Sequence, residues 1–350
     1  MSILNTDVLS VIDEAIIISR SHKIVFANYC AEVLLGRDIT GKKLAAVLGE
    51  NIACMQADDF TANTFLKGKN FIIRSSRKDR DQIFVIKEVK FNSFMFNDSF
   101  LFSLRSSLTI MNMSMEHYRR FAEKNRSEEM LELTDLMNKS LSSVSRLVEN
   151  ISVVSSLYAQ SIRFSPKTLD ICKLFAEYTD IIASLLPDIE ICFEAPEALH
   201  TSVDTDLIKL LFTNLVSNSV LHGKCRKLHI RLLDSAEYLF LAVNDDGCGI
   251  QNEDLYNVFE RYLDRIELKD MSRGAGFGLT VVMGIARLHG GTVLLESRAD
   301  HGTALRVSLR KNTGGSAFYS YTPSTEDAED FLRGLAGCVD EKRFRESYSE

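Results

Sequence analysis

Past the midpoint of the chain runs the stretch Asp206-Leu-Ile-Lys-Leu-Leu-Phe-Thr-Asn214-Leu-Val-Ser-Asn218-Ser-Val-Leu-His222. Its apolar residues recur at helical spacing, and Asn214 and Asn218, four apart, share one helical face. Asparagine inside an apolar helix is costly unless something satisfies it. A hydrogen bond within the fold is one solution. A metal ion with its phosphates is another, because a side-chain carbonyl is a hard oxygen ligand and Mg2+ takes few protein ligands beside phosphate and water.

Two further stretches point the same way. Val243-Asn244-Asp245-Asp246-Gly247-Cys248-Gly249-Ile250 ends an apolar strand with an acid and two glycines. A carboxylate there accepts the exocyclic amine of adenine, and Gly247 and Gly249 allow close backbone approach; a plain turn or a calcium-type loop has the same signature. Arg273-Gly274-Ala275-Gly276-Phe277-Gly278-Leu279-Thr280 leads straight into a helix, so its amides and the helix N-terminus form a cradle for phosphates. Each stretch is weak evidence alone; their order and spacing together are far more specific.

The set resembles the Bergerat-fold ATPases: histidine kinases, anti-sigma serine kinases, Hsp90 chaperones and the MutL and gyrase family. Val258-Phe259-Glu260-Arg261-Tyr262 is similar to the phenylalanine motif of the kinase branch, and Gly290-Gly291-Thr292 with Gly302-Thr303 to its closing strands. The resemblance implies ATP and Mg2+ as cofactors. By it Asn218 holds Mg2+, Asp245 reads adenine, and Gly274, Gly276 and Gly278 contact phosphate. Asn214, Gly247, Gly249, Arg273, Leu279 and Thr303 complete the nucleotide site, and the segment between Tyr262 and Arg273 is the lid.

Upstream, from Ser99 to Ile162, the apolar period is helical. Leu104, Leu108, Met111, Met115, Tyr118 and Ala122 form one series, and Met130, Leu133, Met137, Val144, Leu147, Val148 and Ile151 a second after the polar break at Glu123 to Glu129. Two such helices form an antiparallel hairpin with apolar surface to spare. Pairing two hairpins into a dimeric four-helix bundle buries it, which predicts a homodimer through residues 99–162; packing on the protein's own other domains is the alternative.

Resemblance to histidine kinases extends over Ser99 to Arg310. Phe102-Ser103-Leu104-Arg105-Ser106-Ser107-Leu108-Thr109 sits where that family carries the phosphoacceptor motif H-E-L-R-T-P-L-T. Phosphoryl transfer in the family needs an imidazole nucleophile and a neighbouring acid. Phe102 and Ser103 supply neither, and Ser107 replaces the helix-kinking proline. Leu104, Arg105, Leu108 and Thr109 are enough to align the segment and not to run the reaction. The resemblance therefore implies a two-component signalling protein that binds ATP and does not autophosphorylate at the usual place. It would act as a scaffold for a response regulator or partner kinase. Two rival readings are an active kinase using His117, fifteen residues after Phe102, and phosphorylation of a partner in trans.

Ahead of the hairpin, Val11 to about Phe91 alternates short apolar strands with polar turns, an α/β module. Lys23 to Gly36 resembles the opening of a PAS domain, in which a strand ends in Asn28 and a short helix bearing Ala31 and Leu35 closes at Gly36; a generic helix cap gives the same pattern. Beyond Pro166, strands are expected at 189–193, 227–233, 238–244, 292–296 and 304–309, and helices at 169–186, 204–221 and 279–289. That pattern describes an α/β sandwich whose last strands form a hairpin. The expected division is 1–91 PAS-like sensor, 92–164 helical hairpin, 165–312 ATP-binding domain and 313–350 tail. In the tail, a weak apolar seam at Phe331, Leu332 and Leu335 suits a helix, a partner-binding segment or disorder.

The bulk properties fit that plan. A length of 350 residues exceeds one core, 45% hydrophobic with 25% charged residues is ordinary for a globular protein, and no apolar run approaches a membrane span. Seven cysteines without a C-x-x-C pair argue for free thiols rather than a metal site. The N-terminus lacks secretory-signal character, so a cytoplasmic protein is expected. A net charge of -7 argues against a nucleic-acid partner.

Overall fold

The computed structural model describes residues 12, 14–53, 58–66, 69–89, 98–159, 161–251, 277–311 and 325–339. Strands β1 (Ala15–Arg20) and β2 (Lys23–Ala27) meet in a turn, Ser21-His22, with φ of 49° and 62°. Positive φ at both central residues is the hairpin geometry that matches strand twist. Asn28 then accepts from the amides of Ala31 at 3.0 Å and Ile16 at 2.9 Å, so it caps α1 (Tyr29–Leu35) and ties it to β1. Gly36, at φ 119°, closes that helix. Short helices α2 (Leu44–Leu48) and α3 (Glu50–Ala53) lead to β3 (Phe60–Leu66), β4 (Lys69–Lys78) and β5 (Asp81–Val89). These five strands are antiparallel throughout. Their alternation places Phe60, Ala62, Phe71, Ile73 and Phe84 on one face, with Ile17, Ile24 and Leu35, as a core.

Helices α4 (Asp98–Lys124) and α5 (Glu128–Tyr158) form the expected hairpin. Ser127 caps α5 by accepting the Met130 amide at 3.4 Å. Leu108, Ala122, Val148 and Ile151 of the apolar seam are buried, whereas Met111, Tyr118, Leu133, Met137 and Val144 are exposed together with Ile110 and Met113. Helix α4 runs unbroken through Phe102 to Thr109. No described helix is long and apolar enough to cross a membrane.

The remainder comprises β6 (Lys167–Asp170), α6 (Ile171–Leu185), β7 (Glu190–Glu194), β8 (His200–Val203), α7 (Thr205–Asn218), β9 (Lys227–Asp234), β10 (Tyr238–Asp245), α8 (Phe277–Leu288), β11 (Val293–Ser297), β12 (Thr303–Arg310) and α9 (Thr325–Gly334). The helix expected from Leu169 starts later, at Ile171. Residues 167–170 pair with β8, and the Asp170 carboxylate accepts the Cys172 amide at 3.1 Å, which fixes the start. The helix expected to reach Leu221 changes form after Asn218, and Ser219–Gly223 is a π turn. The tail seam is a helix: Phe331, Leu332 and Leu335 are buried in the same core as Phe175, Phe212 and Leu241. Lys209 on α7 holds α9 through Asp327 at 2.9 Å and through Asp330.

One feature joins the parts. Strand β3 pairs antiparallel with β11, Ala62 opposite Leu294, so a single ten-stranded sheet runs in the order β2-β1-β5-β4-β3-β11-β12-β10-β9-β7. Leu294 contributes to the N-terminal core, while its neighbours Val293 and Leu295 face the larger core beneath α6, α7 and α8. Asn51 Nδ2 donates to Thr292 Oγ1 at 3.0 Å across the same junction.

Candidate nucleotide site

Where α7 gives way to the π turn, a cavity of about 170 Å³ opens toward the end of β10 and the start of α8. Asn218, Asp245, Gly249, Leu279 and Thr303, all singled out in the sequence, line it, and Leu295 and Leu305 supply an apolar floor. That is room for an aromatic ring system, since an apolar cavity of ~150 Å³ takes benzene.

Asp245 is its polar anchor. Oδ1 accepts the amides of Gly247 at 3.0 Å and Thr303 at 3.1 Å, which fixes the carboxylate at the cavity wall. Burial pushes its pKa above the usual carboxylate range, outweighing the hydrogen bonds from Gly247, Ser219 and Thr303. Two glycines exist to let this happen. A Cβ on Gly247 would lie 2.2 Å from the Gly223 carbonyl oxygen, and one on Gly223 would lie 3.1 Å from Asp245 Oδ1. The neighbouring Asp246 serves structure instead: it accepts the amides of Arg226 and Lys227, both at 2.8 Å, and the Lys227 amide bond holds its pKa down.

Gly278 stands in the first turn of α8, where a Cβ would lie 2.8 Å from Asn214 Oδ1 and 3.5 Å from Asn218 Oδ1. The absent side chain brings the helix N-terminus against both amides. Asn218 lines the cavity. Asn214 does not, and its amide is paired with the hairpin. Asn150 Nδ2 donates to Asn214 Oδ1 at 3.1 Å and Asn214 Nδ2 to Asn150 Oδ1 at 3.2 Å. One turn earlier on α5, Arg146 donates to Ser217 Oγ and, at 3.0 Å, to the Gly334 carbonyl. Burial lowers the Arg146 pKa, and burial followed by the Arg146 charge lowers that of His222 at the cavity rim.

Sequence reasoning missed Ser219, His222 and Gly223 as cavity residues; the signal lay in the glycine after an interrupted helical run. It also missed Arg146 and Asn150, two polar residues on the apolar side of α5. Arg273, Gly274, Gly276, the phenylalanine motif Val258–Tyr262 and the lid after it lie outside the described residues. On the hairpin, Phe102 is 73% exposed and Ser103 Oγ donates back to the Ser99 carbonyl at 2.9 Å. His117 and Ser106 are exposed on the same helix.

Residues 203–313 match the histidine kinase-, DNA gyrase B- and HSP90-like ATPases. Over 188 residues the chain is 24% identical to the sensor histidine kinase YvrG of Bacillus subtilis, covering 53% of this chain and 32% of that protein. Over 179 residues it is 31% identical to the sensor protein ChvG of Rhizobium meliloti, covering 48% and 31%. The chain carries the ATP-binding domain that histidine kinases share with DNA gyrase B and HSP90. It spans about a third of the length of these two relatives. Among solved structures, full-length ShkA in complex with AMPPNP shares the fold, with a TM-score of 0.52 and 18% identity over 63% of this chain and 47% of that one.

The cavity of this histidine kinase relative thus sits inside its ATP-binding domain. Among the described residues no group of three or more His, Cys, Asp or Glu is placed to hold a metal ion. Asn218, a hard amide oxygen at the cavity edge beside Gly278, fits a Mg2+ whose other ligands are phosphate and water.

Proposed function

We propose that this protein binds ATP and Mg2+ and signals in a two-component pathway without phosphorylating the usual position on its hairpin. The observation that carries the proposal is the pairing of the Asp245 cavity with Phe102, an exposed benzyl group on an unbroken helix beside a serine whose hydroxyl is turned back on Ser99. Asp245 accepts the adenine amine, Leu279, Leu295 and Leu305 pack on the ring, and the α8 N-terminus at Gly278 faces the phosphates. Asn218 holds Mg2+, which supplies charge neutralisation of the phosphate groups.

Signalling then rests on two arrangements. In one, Asn150 and Arg146 dock the hairpin on α7; in the other the hairpin is released, and nucleotide biases the balance by binding beside Asn214. The exposed apolar stripe of the hairpin, Phe102, Ile110, Met113 and Leu133 among its members, supports a homodimer. The N-terminal sheet, with Asn28 capping a helix closed by Gly36, supports a PAS-like sensor joined to the ATP-binding domain at Leu294. A response regulator or a partner kinase is the downstream component. One complex in the family, of ThkA with the response regulator TrrA, has that composition.

His117, exposed on α4, favours a second reading in which it accepts phosphate. Restoring the family chemistry distinguishes the two. A Phe102→His, Ser103→Glu variant that gains phosphohistidine, with the unmodified chain silent, supports the proposal; label that persists in the unmodified chain and disappears with His117→Gln supports the second reading.

A further inference from the structure

The N-terminal sheet buries two asparagines that its own core does not use. In the β3–β4 ladder Asn63 stands opposite Ile72, and Asn70 opposite Phe65, so both lie on the face away from Phe71 and Ile73. They meet the last turns of α5 and the middle of α8 around a cavity of about 240 Å³, whose apolar walls include Val154, Leu157, Met283 and Leu288. This cavity is separate from the one at Asp245. Asn63 is only 8% exposed, and its Nδ2 is buried without a hydrogen-bond partner. Leaving an amide donor unmet inside a protein is unfavourable, and each such group calls for an explanation. Arg287 also lines the cavity, its guanidinium 3.7 Å from the centroid of the Phe65 ring, and no acidic residue is among the described lining residues.

We propose that this cavity binds a small carboxylic acid with an apolar body. The apolar walls take the body, a carboxylate oxygen accepts from Asn63, and Arg287 lends the wall a positive charge that favours a carboxylate. Scaling from the ~150 Å³ that accommodates benzene, the space suits about ten non-hydrogen atoms. Because the walls come from the N-terminal sheet, the hairpin and the ATP-binding domain, the ligand binds only when all three are docked, and it stabilises that arrangement.

The test is calorimetric titration of the full chain with octanoate, octanamide and octylamine, with thermal melts in parallel. Octanoate is expected to bind one per chain and raise the melting temperature, octanamide to bind more weakly, and octylamine not to bind. Asn63→Asp keeps the shape and opposes the charge, and is expected to weaken octanoate at least roughly tenfold, as loss of a charged hydrogen bond does. Met283→Phe, which fills the space from the helix side, is expected to abolish binding should Asn63→Asp fail to fold. Absence of octanoate binding, equal binding of octylamine, or wild-type affinity in the folded Asn63→Asp or Met283→Phe chain overturns the proposal. The readout does not involve nucleotide, so it stands apart from the function proposed for the Asp245 cavity.

Discussion

Asn150 of the hairpin and Asn214 of the ATP-binding domain exchange two hydrogen bonds, and with exposures of 3% and 1% neither amide has recourse to water. Asn214 is one of the two asparagines from which a nucleotide site is read in the sequence. Here the polar group that the apolar helix cannot tolerate alone is satisfied from within the chain. The pair therefore reports whether the hairpin is docked. Replacing Asn150 with Ala leaves Asn214 half-satisfied, since it keeps its bond to the Leu210 carbonyl. A loss of roughly 1–3 kcal/mol is expected by chemical denaturation. The Asn150→Leu, Asn214→Leu double variant is expected to lose less than the sum of the two single changes.

Asp245 makes an opposite trade. Its raised folded-state pKa means that the folded chain carries a charged group at a penalty above that pKa, and the penalty disappears as pH falls below the ordinary value of 3.8. Asp245→Asn is therefore expected to raise the melting temperature at neutral pH, with the gain vanishing in acid. The same change removes the acceptor proposed for adenine, with an expected loss of ATP affinity of about tenfold to a hundredfold by titration.

Leu157 on α5 packs on Gly284 of α8, where a Cβ would come within 2.3 Å of Leu157 Cδ1. Because that neighbour is a side-chain tip, Gly284→Ala is expected to be tolerated with a change of about 1 kcal/mol or less, helix propensity offsetting crowding. Gly284→Leu leaves no such escape. It is expected to lift the end of the hairpin from α8, seen as faster hydrogen exchange in residues 150–159 with that in β9 and β10 unchanged.

The exposed apolar stripe sets oligomeric state in this account. Ile110→Glu with Met113→Glu, both at sites more than 60% exposed, is expected to turn a dimer into a monomer by light scattering while the melting temperature moves little. A monomeric unmodified chain would contradict the dimer.

Much of this was legible in the sequence because it is local. The helix of Asn214 and Asn218, the Asp245 strand end, the final hairpin of β11 and β12 and the two apolar seams are each set by periodicity within a short stretch. What escaped depends on distant partners. Ala62 and Leu294 meet across more than two hundred residues, and an edge strand carries no mark of the edge it will join. The burial of Phe331 and Leu335 needed the groove beside Lys209, and the partner of Asn214 needed α5 folded back on α7. The start of α6 at Ile171 turned on a single carboxylate, that of Asp170, competing for the backbone.

The proposed protein couples a nucleotide cavity to a hairpin unable to accept phosphate at Phe102. Incubating the purified chain with γ-labelled ATP and Mg2+, beside an Asn218→Ala control, and testing any label for acid and alkali stability checks that coupling. The expected result is ATP binding that is lost in the control and no label on the unmodified chain. Acid-labile, alkali-stable label on the unmodified chain, which marks a phosphohistidine, would contradict it.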